Sequence, residues 1–267
     1  MISPFRTQLK YFLACLLLIL SPQISLASVR IAASSDMQFV LNEIAAIYQN
    51  TTGTGLDIEY GSSGNLARRI IRRDKFDLFL SASPVYVDLL VKRDLAVDKG
   101  LVLASNHLCL FLPADSRISA TPDLSDLKAA IEDGRLGHLA VPDPTHTGHG
   151  LEIDDAIQRA GMRRSLRPHI RSLPSAAHAL ESVLSGNSQA AILPYSLVTS
   201  TDFDSHGQYV LLSQQLYKPV KQQLVLLREA NNEALEFFNF LQQPLARSVM
   251  KKYGLIVPDS SASTRQE

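Results

Sequence analysis

The sequence predicts an α/β protein built on mainly parallel sheets. Three observations carry that prediction. Short apolar runs of strand length alternate with stretches of helical periodicity through most of the chain. Turns rich in Ser, Thr and Gly stand between them. No internal repeat, heptad or low-complexity tract suggests another architecture.

Taken in order, Val29 to Ala33 is a short apolar strand. Val40, Ile44, Ile47 and Tyr48 follow at i, i+4, i+7 and i+8, one apolar stripe of a helix, and Gly53 lies just past its end. Leu56 to Tyr60 alternates as a second strand, and Leu66 to Arg73 is a short helix. Leu78 to Leu80 and Val85 to Arg93 repeat the strand–helix pair. Leu108 to Leu112 and His138 to Val141 are strands on either side of a helix near Leu124 to Glu132. Leu151 to Ala160 and Ala176 to Leu184 are helical, and Ala190 to Leu193 is a buried strand. Val210 to Leu212 and Gln223 to Leu227 are strands; helices near Ala234 to Gln242 and Ala246 to Tyr253 close the fold. Ser260 to Glu267 is polar and expected to fray.

Residues 1–27 are expected to lie outside the fold. Arg6 and Lys10 form a basic start, and Tyr11 to Leu20 is an apolar run too short for the ~20 residues that span a bilayer. Ser25-Leu26-Ala27 is a small-x-small cleavage site, so the segment reads as a secretory signal peptide with Ser28 next. Cys15 is followed by more of the apolar run, unlike a lipid-anchored cysteine, and no later segment is apolar enough to span a membrane. Beyond that segment 24 Lys and Arg face 26 Asp and Glu, a net charge of −2. Such a balance excludes the basic excess of a nucleic-acid or membrane-surface protein. Cys109 is then the one remaining cysteine, set in an apolar run, and reads as a buried thiol without a disulfide partner.

In an open α/β sheet, ligands bind at the carboxyl ends of strands, where the next helices begin. At those points stand Ser34-Ser35-Asp36, Gly61-Ser62-Ser63-Gly64-Asn65, Asp143 to Gly150, and Ser175-Ala176-Ala177. None contains Lys or Arg. Helix starts carry unpaired N–H groups and partial positive charge, hydroxyls add donors, and glycine lets backbone approach closely, which suits an oxyanion held without a counter-charge. Each serine alone is equally an ordinary helix cap, contributing about 1 kcal/mol; it is their recurrence that points to a ligand. Asp36 and Asp143 are possible anchors for a cationic group, but both also follow helix-start logic.

The chain resembles the periplasmic molybdate-binding proteins of ABC importers, a solute-binding family, over nearly all of its length after residue 27. The resemblance rests on Ile31-Ala-Ala-Ser-Ser-Asp36, Glu43-Ile-Ala-Ala-Ile-Tyr48 and Gly61-Ser-Ser-Gly-Asn-Leu-Ala67. It continues through Phe76-Asp-Leu-Phe-Leu-Ser-Ala82, Leu139-Ala-Val-Pro-Asp-Pro144, Glu181-Ser-Val-Leu-Ser-Gly-Asn187 and Lys252-Tyr-Gly254. It implies a two-lobed periplasmic-binding-protein fold that closes on the anion. Lobe 1 is expected in residues 28–105 and 222–258, lobe 2 in 106–221, with a tail at 259–267. The family's first-lobe serines fall on Ser35 and Ser63, with Ser34 and Ser62 as alternatives of register, and its second-lobe tyrosine on Tyr195. Two backbone N–H donors fall near His149 and Ala176. His149 departs from the small or aliphatic residue usual there. The resemblance further implies a periplasmic monomer without catalysis or cofactor, which delivers molybdate or tungstate to an ABC importer permease.

Other readings compete. A binding protein for phosphate or sulfate would use the same kind of turns. His146 and His149, beside Asp143, would suit a metal carrier, but zinc takes three or four ligands and no further cluster completes the set. A hydrolase would need a nucleophile elbow or an oriented base, and the sequence offers neither. Arg68, Arg69, Arg72 and Arg73 read as a solvated helix face near Asp74 and Asp77.

Overall fold

The computed structural model describes residues 28–199 and 206–259. The segment read as a signal peptide, residues 1–27, and residues 260–267 of the polar tail lie outside the described residues.

Strand β1 (Val29–Ser34) leads through a 3-10 turn (Ser35–Met37) into α1 (Gln38–Thr52), which ends at Gly53 with φ +74°, a left-handed stop that glycine adopts without strain. Strand β2 (Leu56–Gly61) precedes α2 (Ser63–Ile71), and β3 (Leu78–Ser81) precedes α3 (Pro84–Lys92). Strand β4 (Leu101–Asn106) is followed, after His107 alone, by β5 (Leu108–Pro113). Next come α4 (Ser125–Glu132), β6 (Leu139–Pro142), α5 (Gly148–Arg159) and the short α6 (Arg163–Leu166). Strand β7 (Ile170–Leu173), α7 (Ala176–Leu184), β8 (Ala190–Pro194) and a 3-10 turn (Tyr195–Leu197) follow. Strands β9 (Gly207–Leu211) and β10 (Val220–Leu226) precede α8 (Asn232–Phe240) and α9 (Pro244–Lys252).

These strands form two five-stranded sheets, β2-β1-β3-β10-β4 and β7-β6-β8-β5-β9. In the first, β1 runs parallel to β2 and β3, while β10 runs antiparallel to β3 and β4. The second repeats the scheme, with β6 parallel to β7 and β8, and β5 antiparallel to β8 and β9. Each sheet is thus mainly parallel, with one reversed strand. Both have helices on each face, the two-lobed architecture expected.

Alternation along the strands fills both faces. Ile31, Ala33, Leu78 and Leu80 pack with α1, α8 and α9 through Val40, Leu41, Ile44, Phe237 and Met250. Ala32, Phe79 and Val225 turn the other way, onto Leu66, Ile70, Val87 and Leu90 of α2 and α3. In the second sheet Leu108, Leu110 and Leu112 join one core, and Cys109 and Phe111 the other. Strands buried on both faces read as continuous apolar runs, which made them legible. Each buried Leu, Ile, Val, Phe or Met among them contributes about 1.5–3 kcal/mol.

Three elements were not anticipated: β4, β7 and α6. Half-buried β7 carries Arg171 and Ser172 at an edge, and β4 ends in Ala104-Ser105-Asn106, so neither shows a clean apolar pattern. Two helix starts also differ. Helix α2 begins at Ser63, ahead of Leu66, and stops at Ile71, with Arg73 left-handed at φ +70°. Helix α5 begins at Gly148, three residues before Leu151, because the Thr147 hydroxyl caps it by accepting from the Gly150 N–H at 3.0 Å. His149 therefore lies in the first helical turn, not in a loop. Arg69 pairs with Glu59 and Asp74 and lies over the Phe76 ring, as a solvated face would.

Candidate functional site

The carboxyl ends of the two sheets face each other, and the helix starts meet there. Ser34 pairs in register with Gly61, so the turns after β1 and β2 are neighbours. The Gly64 N–H in the first turn of α2 donates to the His146 carbonyl, on the loop before α5, at 3.0 Å. Gly148, first residue of α5, packs so closely on the Ala82 carbonyl that a Cβ would collide with it. The Tyr86 hydroxyl, from α3, reaches the Thr145 carbonyl at 3.4 Å. Helix α7 packs on the 3-10 turn Ser35–Met37. Helix starts from both sheets therefore converge on one buried junction.

The first intrahelical bonds show which amides remain. In α5 the first is Leu151 N–H to the Thr147 carbonyl, and in α7 it is Ala179 N–H to the Ser175 carbonyl. The N–H groups of Gly148 and His149, and of Ala176 and Ala177, precede those bonds and lie at the positive ends of their helices. The Ser175 hydroxyl caps α7 through the His178 N–H and also meets His178 Nδ1 at 2.8 Å.

Ser35 and Ser63 are buried at this junction. Ser63 Oγ accepts from the Ala82 N–H at 3.0 Å, which orients the hydroxyl and leaves its proton to donate elsewhere. Ser62 Oγ, the alternative of register, is buried without a partner among the described residues. His149 and Ala176 are buried on the opposite side, on α5 and α7. The Tyr195 ring is set differently. It leans on Tyr209 with ring centroids 5.5 Å apart and lies tightly over Gly254. Burial, and then pairing of its hydroxyl with Tyr209, pushes Tyr195 up to about 12. Its neighbour Ser196 is the residue that enters the junction: its hydroxyl donates to the Asp36 carbonyl at 2.7 Å, and its N–H to Asn106 Oδ1 at 3.2 Å.

Three residues at the centre, Asn106, Ser196 and Gln222, carry no local signal for binding in the sequence; they gather around Asp36, which the sequence offered as a possible anchor or a helix start. Asp36 is fully buried, and its Oδ2 accepts from Asn106 Nδ2 at 2.9 Å and from Gln222 Nε2 at 2.7 Å. His149 Nε2 stands 3.3 Å from the same oxygen. Asp36 Oδ1 and Gln222 Oε1 have no partner among the described residues. Burial lowers the His149 pKa below its ordinary value, outweighing the attraction of Asp36 and Glu152. Asp36 is thus not a helix cap but the hub of a network joining β4, β10, α5 and the turn after β8. These positions are scattered along the chain, so spacing could not have found them.

His146 and His149 take different partners. His146 Nδ1 lies 2.9 Å from Thr145 Oγ1 and 3.7 Å from Asp143, while His149 turns to Asp36. Among the described residues no group of three His, Cys, Asp or Glu side chains converges as a cation would require. The Cys109 thiol is buried, bonded to the Leu193 carbonyl at 3.5 Å, and burial pushes its pKa far up, so it is inert.

The family model for bacterial extracellular solute-binding proteins matches residues 29–256. The molybdate-binding protein ModA of Rhodobacter capsulatus is 27% identical over 227 residues, covering 84% of this chain and 86% of that one. The molybdate-binding protein ModA of Escherichia coli K12 is 25% identical over 236 residues, covering 86% and 89%. The solved periplasmic molybdate-binding protein of Azotobacter vinelandii superposes with a TM-score of 0.78 at 18% identity, over 86% of this chain and 100% of that one. With the match running through both sheets and the junction between them, the chain belongs to the bacterial extracellular solute-binding proteins.

Proposed function

We propose that this protein captures molybdate or tungstate outside the cytoplasm and delivers it to an ABC importer permease. The observation that carries the reading is the junction of helix starts from both sheets, where amides and serine hydroxyls converge with no Lys or Arg among them. Relatives named for molybdate binding, matched over most of their length, support the choice of anion. Ser35 and Ser63 supply hydroxyl donors from one side, and the His149 and Ala176 amides supply backbone donors from the other. Tyr195 joins them if its hydroxyl exchanges Tyr209 for the anion on closure. The first lobe takes residues 28–105 and 222–258, and the second takes 106–221. The location is the periplasm, entered by way of the signal segment 1–27. The protein acts as a monomer, needs no cofactor and performs no catalysis.

Titration calorimetry against molybdate, tungstate, sulfate, phosphate and zinc tests this directly. One molybdate or tungstate per chain is expected, with weaker heats for sulfate and phosphate. A ligand at a hundred times its dissociation constant stabilises by about 2.7 kcal/mol, so thermal shift reads the same ranking. No response to either group-six anion, with clear binding of zinc or another solute, would overturn the assignment.

A further inference from the structure

We infer that capture of a dianionic oxyanion by this protein is coupled to uptake of one proton by the Asp36–His149 pair. The inference rests on the proposed oxyanion site and concerns how that site tolerates a buried carboxylate.

The geometry sets the problem. Asp36 lies between Ser35 and the start of α1, and His149 lies in the first turn of α5, so both flank the donors assigned to the anion. The two side chains come from opposite sides of the junction, stand 3.3 Å apart, and are 0% and 2% exposed. A dianion placed beside the Asp36 carboxyl oxygens, one of which has no partner among the described residues, meets lone pairs instead of donors in a poorly solvated setting, where charges interact far more strongly than in water. Neither Lys nor Arg stands in the turns to offset it. A proton taken from solvent onto the His149 ring puts a positive charge beside those oxygens, and His149 Nε2 then donates to Asp36 Oδ2. The anion itself favours that proton, because a nearby negative charge raises the proton affinity of an imidazole. Burial keeps ligand-free His149 neutral around pH 7, so the proton is gained on binding and not held beforehand.

Other titratable groups near the pair have separate engagements. Glu152, one turn on, accepts from the Lys218 N–H at 3.4 Å and acts on His149 through charge. His178, at the start of α7, is bonded to the Ser175 hydroxyl. His107, just past β4, is 3.0 Å from the Tyr217 hydroxyl. His146 is bonded to Thr145. Lys221, beside Gln222, is exposed. The remaining close partners, Asn106, Ser196 and Gln222, do not titrate. Arg68, exposed on α2, is engaged with the Gly64 carbonyl at 3.2 Å and with Asn65; among these groups the Asp36–His149 pair is the buried one beside the donors assigned to the anion.

Calorimetry of molybdate binding at pH 7.5, in buffers of different ionisation enthalpy, counts the protons exchanged. The wild-type protein should take up close to one proton, and its affinity should fall roughly ten-fold per pH unit above neutrality, the linkage of one proton to one anion. Asp36→Asn with His149→Gln leaves polar side chains at both positions but removes the carboxyl and the imidazole, and should bind with no uptake and a flat pH profile. Molybdate binding by the wild type without proton uptake would overturn the coupling and leave the oxyanion assignment standing. Uptake that persists in the double variant would place the proton on another group and equally overturn it. Absence of any oxyanion binding by the wild type would overturn both.

Discussion

At the scale of single residues, the junction separates groups that bind from groups that orient. Ser63 does both, because its oxygen accepts from the Ala82 N–H and its proton is left for a ligand. Hydrogen bonds to charged groups contribute about 1.5–3 kcal/mol, and a buried N–H left unpaired costs about 1–3 kcal/mol. Ser63→Ala should therefore weaken molybdate binding at least ten-fold and also lower the melting temperature of the unliganded protein. Tyr195→Phe separates the two roles at the other end of the junction. Its ring rests on Tyr209 and Gly254, so the variant keeps that packing and loses one hydroxyl. If the hydroxyl reaches the anion on closure, affinity falls while the unliganded melting temperature barely moves. Equal affinity, measured at the same pH in calorimetry, would confine Tyr195 to its contact with Tyr209.

At the scale of elements, the helix starts work as a set because their first residues are small. Gly64 sits against Tyr86 and His146, where an added Cβ would approach to 2.7 and 2.9 Å, and Gly148 sits against the Ala82 carbonyl. Those contacts join residues that follow the first sheet's strands to residues that follow the second's. Alanine at position 148 is a good helix former, so α5 itself has no cause to suffer. What it obstructs is the approach of α5 to the turn after β3. Gly148→Ala should lower the melting temperature of the unliganded protein, because the added Cβ meets the Ala82 backbone carbonyl, and molybdate should bind at least ten-fold more weakly and dissociate faster. A variant that binds as the wild type does would show that the two sides do not need this close approach.

At the scale of the whole molecule, two sheets with separate cores are joined by β4–His107–β5, by β10 and by the chain's end. The Ser105 N–H donates to the Ile256 carbonyl at 2.8 Å, the reciprocal bond is 2.9 Å, and Thr199 Oγ1 donates to the Tyr253 carbonyl at 3.2 Å. Global stability should depend on pH through groups at this junction and on the surface. Burial lowers the pKa of both His149 and His107, so below about pH 6.5 the unfolded chain binds protons that the folded one refuses, and stability falls on acidification. Glu43 is lowered chiefly by its hydrogen bond from Lys252, and Asp126 is held at about 2 chiefly by Arg135. Their contributions are present at neutral pH and disappear only in stronger acid. Thermal melts of the unliganded protein should therefore show a first loss between about pH 7 and 5, absent when both His107 and His149 are replaced by Gln. A melting temperature that rises over that interval would contradict the sign.

The sequence by itself determined which segments become strands and helices wherever burial on two faces or one helical stripe left a periodic mark, as in Leu108 to Leu112 or Val40 to Tyr48. It also located the Ser- and Gly-rich turns at the strand ends, because N-capping and close backbone approach demand those residue types locally. Elements without that periodicity, such as edge strand β7 with its Arg171 and Ser172, left little to read. Tertiary structure alone decided that Asp36, Asn106, His149, Ser196 and Gln222 form one buried network, since they lie up to 186 residues apart and belong to five different segments. It also decided that Tyr195 turns toward Tyr209 while Ser196 enters the junction. Periodicity records which face of an element is buried; which buried polar groups share that space depends on how strands from distant parts of the chain are brought to one edge.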